Sequence, residues 1–401
     1  MTETLFNPFA PGFTEDPYPH YRELRDLDPV QEHPLGFWLL TRHAEVTALL
    51  RAGMSAEQRN LAPHPVRDQM REAAGGEDWR SGGLSMLDRD PPDHTRLRGL
   101  VAKVFTPRAI AALESRVVEL VDAALDRMAE AGRSNLVDEL AFPLPFTVIN
   151  EMLGMPPADE AHIRELTGTL VRSLEPLADP DLARRISAAD AELAALTAEV
   201  IAWKRANPGD DLLTALIHAE ENGAVLSDDE LVAQVVLLYV AGHETTVNLI
   251  SNGVVALLRD PGQLAALRAD PELIGNAVEE LLRYDSPVQS SRRITLAPFE
   301  VGGREIPPGT FVVASLASAN TDERFWGADA DELKLDRPNA RYHVSFGAGP
   351  HHCLGAALAR LEGRVAIGRL VRRFPDLALD GEVEWNGRIN LRGAAKVPVR
   401  V

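Results

Sequence analysis

The one cysteine of this 401-residue sequence, Cys353, lies near the end of a loop reading Phe346-Gly347-Ala348-Gly349-Pro350-His351-His352-Cys353-Leu354-Gly355. The helical run Ala356-Ala357-Leu358-Ala359-Arg360 follows directly. A thiolate serves as a ligand only while its charge is stabilised. A cysteine entering a helix meets free N–H groups at the positive end of the helix dipole. Gly347, Gly349 and Gly355 leave the backbone bare enough for a flat cofactor to approach. A lone cysteine is more commonly a small buried hydrophobe; its glycine- and histidine-rich neighbours point to a ligand instead.

A second cluster, Ala241-Gly242-His243-Glu244-Thr245-Thr246, interrupts a strongly apolar helical pattern. Glycine inside a helix costs roughly 1 kcal/mol relative to alanine, and an inward charge costs more unless paired or hydrated. On an arbitrary helix Glu244 would face solvent and the threonines would bond back to carbonyls one turn earlier. Here the apolar surroundings suggest local stability traded for function. His243 and Glu244 also begin a zinc-protease pattern, but Val247 stands where the second histidine would fall one turn on. That position argues against a zinc hydrolase.

Two further charge groups have helical spacing. Glu280 and Arg283, three apart, share a helix face, where a surface pair contributes a few tenths of a kcal/mol. Asp90-Pro91-Pro92-Asp93-His94-Thr95-Arg96-Leu97-Arg98 opens a helix on which His94 and Arg98 share a face, so two donors can meet one anion.

The elements that carry these residues are mostly helical. Short helices at about 15–28 and 42–51 flank an extended apolar stretch, Phe37-Trp38-Leu39-Leu40. From 60 to 89, proline, glycine and charge break any helical period, with Gly75-Gly76 and Gly82-Gly83, which predicts a long mobile loop. From 93 to 217 apolar residues recur at three and four, as in Ile110, Leu113, Val117, Leu120, Val121 and Leu125, predicting a run of amphipathic helices. Ser227 and Glu230 form a capping-box signal, and the pattern then continues without proline to Arg259, before Asp260-Pro261-Gly262. That helix, which holds the Glu244 cluster, spans roughly 50 Å. A helix at about 272–284 precedes β-formers in Phe299-Glu300-Val301, Glu305-Ile306 and Thr310-Phe311-Val312-Val313. A loop from 320 to 350, a last long helix at about 354–374 and a short β-like tail complete the pattern.

Composition bounds the rest. Hydrophobic residues make up 45% and charged residues 25%, as in a folded, water-soluble protein. A formal charge of −19 argues against nucleic acid or an anionic membrane as main partner. The N-terminus has no basic, then apolar, secretion pattern, and the most apolar window, 231–240, is about half the ~20 residues a membrane span needs. A single cysteine excludes an intramolecular disulfide, so the cytoplasm is the expected location.

The cysteine loop resembles the heme-binding signature of the cytochrome P-450 family, Phe-Gly-x-Gly-x-His-x-Cys-x-Gly, at every specified position. The resemblance extends from Asp16-Pro17-Tyr18 through the final helix, with four motifs in the expected order. It implies a mainly α fold with a smaller β part, a helical triangular prism around heme b, with residues 1–401 as a single domain. It implies that Cys353 ligates the iron, that Phe346 packs near the sulfur, and that His351, His94, Arg98 and an arginine after the Glu280 helix hold the heme propionates. Counting back from Phe299-Glu300-Val301-Gly302-Gly303 in the family's register selects Arg293 over Arg292. It implies that Ala241 and Gly242 leave room for O2 while Glu244 and Thr245 relay protons, favouring reductive O2 activation over direct use of peroxide. It also implies that Arg337 joins Glu280 and Arg283 as scaffolding.

The activity so implied is oxidation, chiefly hydroxylation, of a small organic substrate, a mid-sized natural product being the favoured class. No flavin or nicotinamide domain is apparent: Gly347-Ala348-Gly349 lacks a third glycine at His352 and follows no crossover strand. Electrons are therefore expected from a ferredoxin and its reductase. A heme-binding sensor or carrier without turnover is the competing reading, and a zinc hydrolase using His351, His352 and Cys353 a remote one. Substrate contacts are expected from 60–89, from about 166–186 and from 288–291.

Overall fold

The computed structural model describes residues 5–73, 83–156, 160–175, 179–219, 223 and 225–401. Among them the longest element is the 32-residue helix Asp228–Arg259. The expected capping box opens it: the Ser227 hydroxyl accepts the Glu230 N–H at 3.2 Å, and the Glu230 carboxylate accepts the Ser227 N–H at 2.9 Å. Asp228, Asp229 and Glu230 in the first turn complement the helix dipole. From Thr246 to Leu257 every residue is buried, the polar Asn252 included, which donates to the Arg392 carbonyl and accepts the Ala394 N–H, both at 3.2 Å.

Two helices pack on that buried half, Ile274–Tyr284 and the cysteine helix Ala356–Arg373. They come close because glycine leaves the contacts bare. A Cβ on Gly253 would lie 3.1 Å from Leu281 and 3.2 Å from Ile367. Leu249, Ile250, Leu281 and Ile367 are buried there, each contributing about 1.5–3 kcal/mol. The cysteine helix begins at Ala356, so Cys353 stands just before its first turn.

A four-stranded sheet runs in the order Val30–His33, Phe37–Leu40, Phe311–Ser315, Ser290–Ile294. Phe37–Leu40 and Phe311–Ser315 are parallel, and the two outer strands are antiparallel to their neighbours. Ser290–Ile294 is a strand the sequence reading missed: Ser-Ser-Arg-Arg shows no apolar alternation, and the partner strand imposes the extended backbone. This strand places Arg293 opposite Val312.

The continuous loop expected from 60 to 89 is corrected. It contains a helix, Pro65–Ala73, and a 3-10 turn, Met86–Asp88. Pro65 stands at the helix start, where its missing N–H removes no internal bond. Residues 74–82, with Gly75, Gly76 and Gly82, lie outside the described part. The segment 320–350 likewise holds the short helix Glu323–Trp326 and a 3-10 turn, Ala340–Tyr342.

Candidate active site

The cysteine loop is fixed by its own backbone. The Cys353 N–H donates to the Phe346 carbonyl at 2.9 Å, Gly347 N–H to Val344 at 2.8 Å, and His352 N–H to Gly349 at 3.1 Å. Gly347 and Gly349 have φ of 66° and 70°, a left-handed conformation that glycine alone adopts without cost. A Cβ on Gly349 would stand 2.3 Å from the Leu50 carbonyl oxygen. That glycine therefore serves the close approach of the loop to the end of helix His43–Arg51, a reason absent from the loop's own sequence.

Burial pushes the Cys353 thiol above its ordinary range, against the Gly355 N–H, the Arg98 and Arg360 guanidiniums and the Ala356 N–H, which favour the thiolate. Cys353 nevertheless keeps exposed surface. Phe346 packs beside the loop under the Arg360 guanidinium, 4.6 Å from the ring centroid. Arg360 is held in turn by Glu279 at 3.0 Å, a residue the sequence reading passed over. Burial opposes the Glu279 charge, but hydrogen bonds from His343 and Arg360 overcome it and hold the carboxyl at about 2. Burial also keeps His343 neutral. It donates from Nε2 to Glu279, since its Nδ1 accepts the Ser345 N–H at 3.1 Å.

His94, Arg98, Arg293 and His351 gather beside this loop. The His94 and His351 rings lie 4.2 Å apart. Burial and the nearby Arg293, His94 and Arg98 push His351 down to about 3. Arg98 donates to the His352 carbonyl at 2.7 Å, and Arg293 to the Ser291 hydroxyl at 3.1 Å. Asp90 is the carboxylate acting on His94 and Arg293, and it already accepts the Ala56 N–H at 2.7 Å. The His94 Nε2 is buried and has no hydrogen-bond partner among the described residues. Four cationic or donor side chains with an orphaned buried nitrogen fit a dianion such as a pair of propionates.

On the long helix, Glu244 is paired with Arg388, 144 residues away, and both side chains are largely buried. The Glu244 carboxylate also lies 3.9 Å from His243 Nε2, while His243 Nδ1 meets the Tyr239 carbonyl at 2.9 Å. The Thr245 hydroxyl donates to the Ala241 carbonyl at 3.1 Å. Ala241 keeps exposed surface midway along this helix, whereas a Cβ on Gly242 would meet Ile149 at 3.3 Å. The open surface at this level thus belongs to Ala241, and Gly242 also admits the neighbouring helix Pro143–Leu153. One turn further, Thr246 faces Glu362, a buried acid that burial raises to about 8.

The cytochrome P-450 family model matches residues 60–386. The chain belongs to the cytochrome P-450 family. It is 42% identical over 400 residues to the cytochrome P-450 monooxygenase PikC of Streptomyces venezuelae, covering 97% of this chain and 92% of that protein. It is 41% identical over 400 residues to the vitamin D(3) 25-hydroxylase of Pseudonocardia autotrophica, covering 98% and 95%. The crystal structure of the myxobacterial P-450 CYP267B1 in complex with myristic acid superposes with a TM-score of 0.88 at 36% identity, covering 98% of each chain. The expected mainly α P-450 fold is therefore the observed one.

This P-450 is a heme-thiolate monooxygenase rather than a passive heme carrier. Its heme b takes an axial cysteine thiolate, and the sequence offers one cysteine, Cys353. Among the described residues no group of three His, Cys, Asp or Glu side chains is placed to hold a metal ion. None of their helices is long and apolar enough to cross a membrane.

Beneath the site the P-450 carries a buried charge triad. Arg283 donates from Nε and Nη2 to the two Glu280 oxygens, both at 2.7 Å, and Arg337 donates to Glu280 at 3.1 Å. Arg283 also binds the carbonyls of Asn320, Ala330 and Glu332, and the Lys334 N–H reaches Glu280 at 3.0 Å. Glu280 and Arg283 are 0% exposed. Every carboxylate oxygen is satisfied, the condition under which a buried ion pair is tolerated.

Proposed function

We propose that this P-450 inserts one atom of O2 into a C–H bond of a mid-sized, mostly apolar natural product, taking two electrons from a ferredoxin and its reductase in the cytoplasm. Bound heme supplies the iron at which O2 is activated by reduction. The chain, acting as a single domain over residues 1–401, supplies the surroundings. Cys353 holds the proximal side, with the Gly355 and Ala356 N–H groups turned toward its sulfur and Phe346 packed against the loop. Gly347 and Gly355 keep the loop's backbone bare toward the heme. His94, Arg98, Arg293 and His351 bind the propionates. Ala241, with Gly242, leaves space on the long helix, and Glu244 and Thr245 hold and pass protons. Glu280, Arg283 and Arg337 brace the segment leading into the cysteine loop.

The observation that carries this reading is the orphaned, buried His94 Nε2 within a four-residue donor cluster beside the cysteine loop. The relatives support the substrate class: one is named for hydroxylating vitamin D(3), and the superposed structure holds myristic acid, both largely hydrocarbon. A library of apolar natural products titrated against the holoenzyme should reveal ligands by a heme spin-state shift. Incubation with a surrogate ferredoxin, its reductase and NADPH should then yield a product one oxygen atom heavier. Product formed with peroxide but never with the ferredoxin pair would overturn the reductive route.

A further inference from the structure

Arg388 lies in the turn 386–392 between the strands Glu384–Trp385 and Ala394–Lys396. Few turns are held so firmly. The Glu175 carboxylate accepts the N–H groups of Ile389, Asn390 and Leu391 at 2.7, 2.9 and 3.1 Å. Asn386 accepts the Arg388 N–H at 3.0 Å and donates to the Leu391 carbonyl at 2.9 Å. Asn390 accepts the N–H and hydroxyl of Ser290 at 3.0 and 2.8 Å. Two of the segments expected to contact substrate, near 175 and at 288–291, thus converge on this turn. The sequence gives no hint of it.

The guanidinium of Arg388 is mounted on that rigid turn and paired with Glu244. Neither member of the acid–alcohol pair is engaged with the other: Glu244 is held by Arg388, and Thr245 donates to Ala241. The other titratable group facing Glu244 is His243, at 3.9 Å, which burial keeps neutral. Arg388 is thus the cation that compensates the Glu244 charge, and a guanidinium matches a carboxylate better than any other partner. An incoming carboxylate competes for it on equal chemical terms.

We propose that Arg388 is a specificity-determining residue that exchanges Glu244 for the carboxylate of an amphipathic, fatty-acid-like substrate, and that the exchange releases Glu244 to act with Thr245. The second half rests on Glu244 and Thr245 being the proton-passing pair; the first half does not. The turn stays in place during the exchange, because its bonds to Glu175, Asn386 and Ser290 do not involve the guanidinium.

The test uses the holoenzyme and a series of saturated fatty acids, myristic acid among them, each against its methyl ester. Calorimetry reads the affinity of each. Wild-type protein should bind at least one acid about tenfold more tightly than its ester. Arg388→Gln should lose that preference while leaving ester affinity unchanged, and Arg388→Lys should restore part of it. In Glu244→Gln the preference should persist. An unaltered carbon monoxide spectrum and melting temperature identify folded variants. If no acid outbinds its ester, or if Arg388→Gln keeps the preference, the exchange is wrong. If Glu244→Gln retains full coupling of electron use to product, the proton-passing role fails while the carboxylate preference stands.

Discussion

The two sides of the site are built on opposite principles. On the cysteine side the contacts are short in sequence and made by backbone: Cys353 to Phe346, Gly347 to Val344, and the first N–H groups of the following helix turned toward the sulfur. On the long-helix side the decisive contact joins two side chains 144 residues apart, Glu244 and Arg388. A ligand that must never leave is fixed by geometry the chain cannot easily alter. The acid proposed to pass protons is held by an ion pair that another charge can displace.

Cys353→Ser tests the fixed side most severely. An alcohol does not ionise at neutral pH, so the reduced protein with carbon monoxide should lose the strongly red-shifted thiolate band entirely; a surviving band means that another group ligates the iron. Next comes the scaffold. Glu280→Gln leaves Arg283 buried without its counter-charge and Arg337 with Asp329 alone, which should cost about 3–5 kcal/mol in denaturant unfolding. A cost below about 1 kcal/mol would show that the triad does not brace the site. Gly349→Ala should cost about 2–4 kcal/mol, from a strained left-handed backbone and a clash with the Leu50 carbonyl. Heme retention should fall with it, whereas a stable, fully loaded variant would show that the loop has slack.

What could be read in advance follows the same division. The cysteine loop, the capping box at Ser227 and the Glu280–Arg283 spacing are local patterns, and the structure places each of them as written in the chain. Arg388, Glu175 and Glu279 were illegible because their partners are brought to them only by the fold. Ser290–Ile294 carries no strand signal of its own, and its pairing with Phe311–Ser315 decides its conformation. The reason for Gly349 lies in another element, at Leu50. Within 60–89 the proline content argues against a helix, yet Pro65 begins one.

On the exchangeable side, Thr245→Ala removes the alcohol and leaves the Glu244–Arg388 pair intact. Product formed per NADPH consumed should fall by roughly tenfold, with peroxide accounting for the difference. Coupling as in the wild type would mean that Thr245 takes no part in passing protons.

The smallest effect is expected from Glu279, which anchors Arg360 over Phe346 and so joins the cysteine helix to the scaffold. Its carboxyl is depressed from 4.5 to about 2 in the folded protein. A depressed carboxylate contributes stability above its unfolded pKa, and that contribution is lost as pH falls through the folded value. The stability of the wild type should therefore decline between about pH 4.5 and pH 2 through this group, and Glu279→Gln should be less stable at pH 7 yet flatter across that window. His343 does not reverse the sign, because burial lowers its pKa, and a histidine lowered in the folded protein also loses stability as pH falls. Parallel acid-unfolding curves for the two proteins would mean that Arg360 gains nothing from Glu279, and the cysteine side would then owe its rigidity to backbone alone.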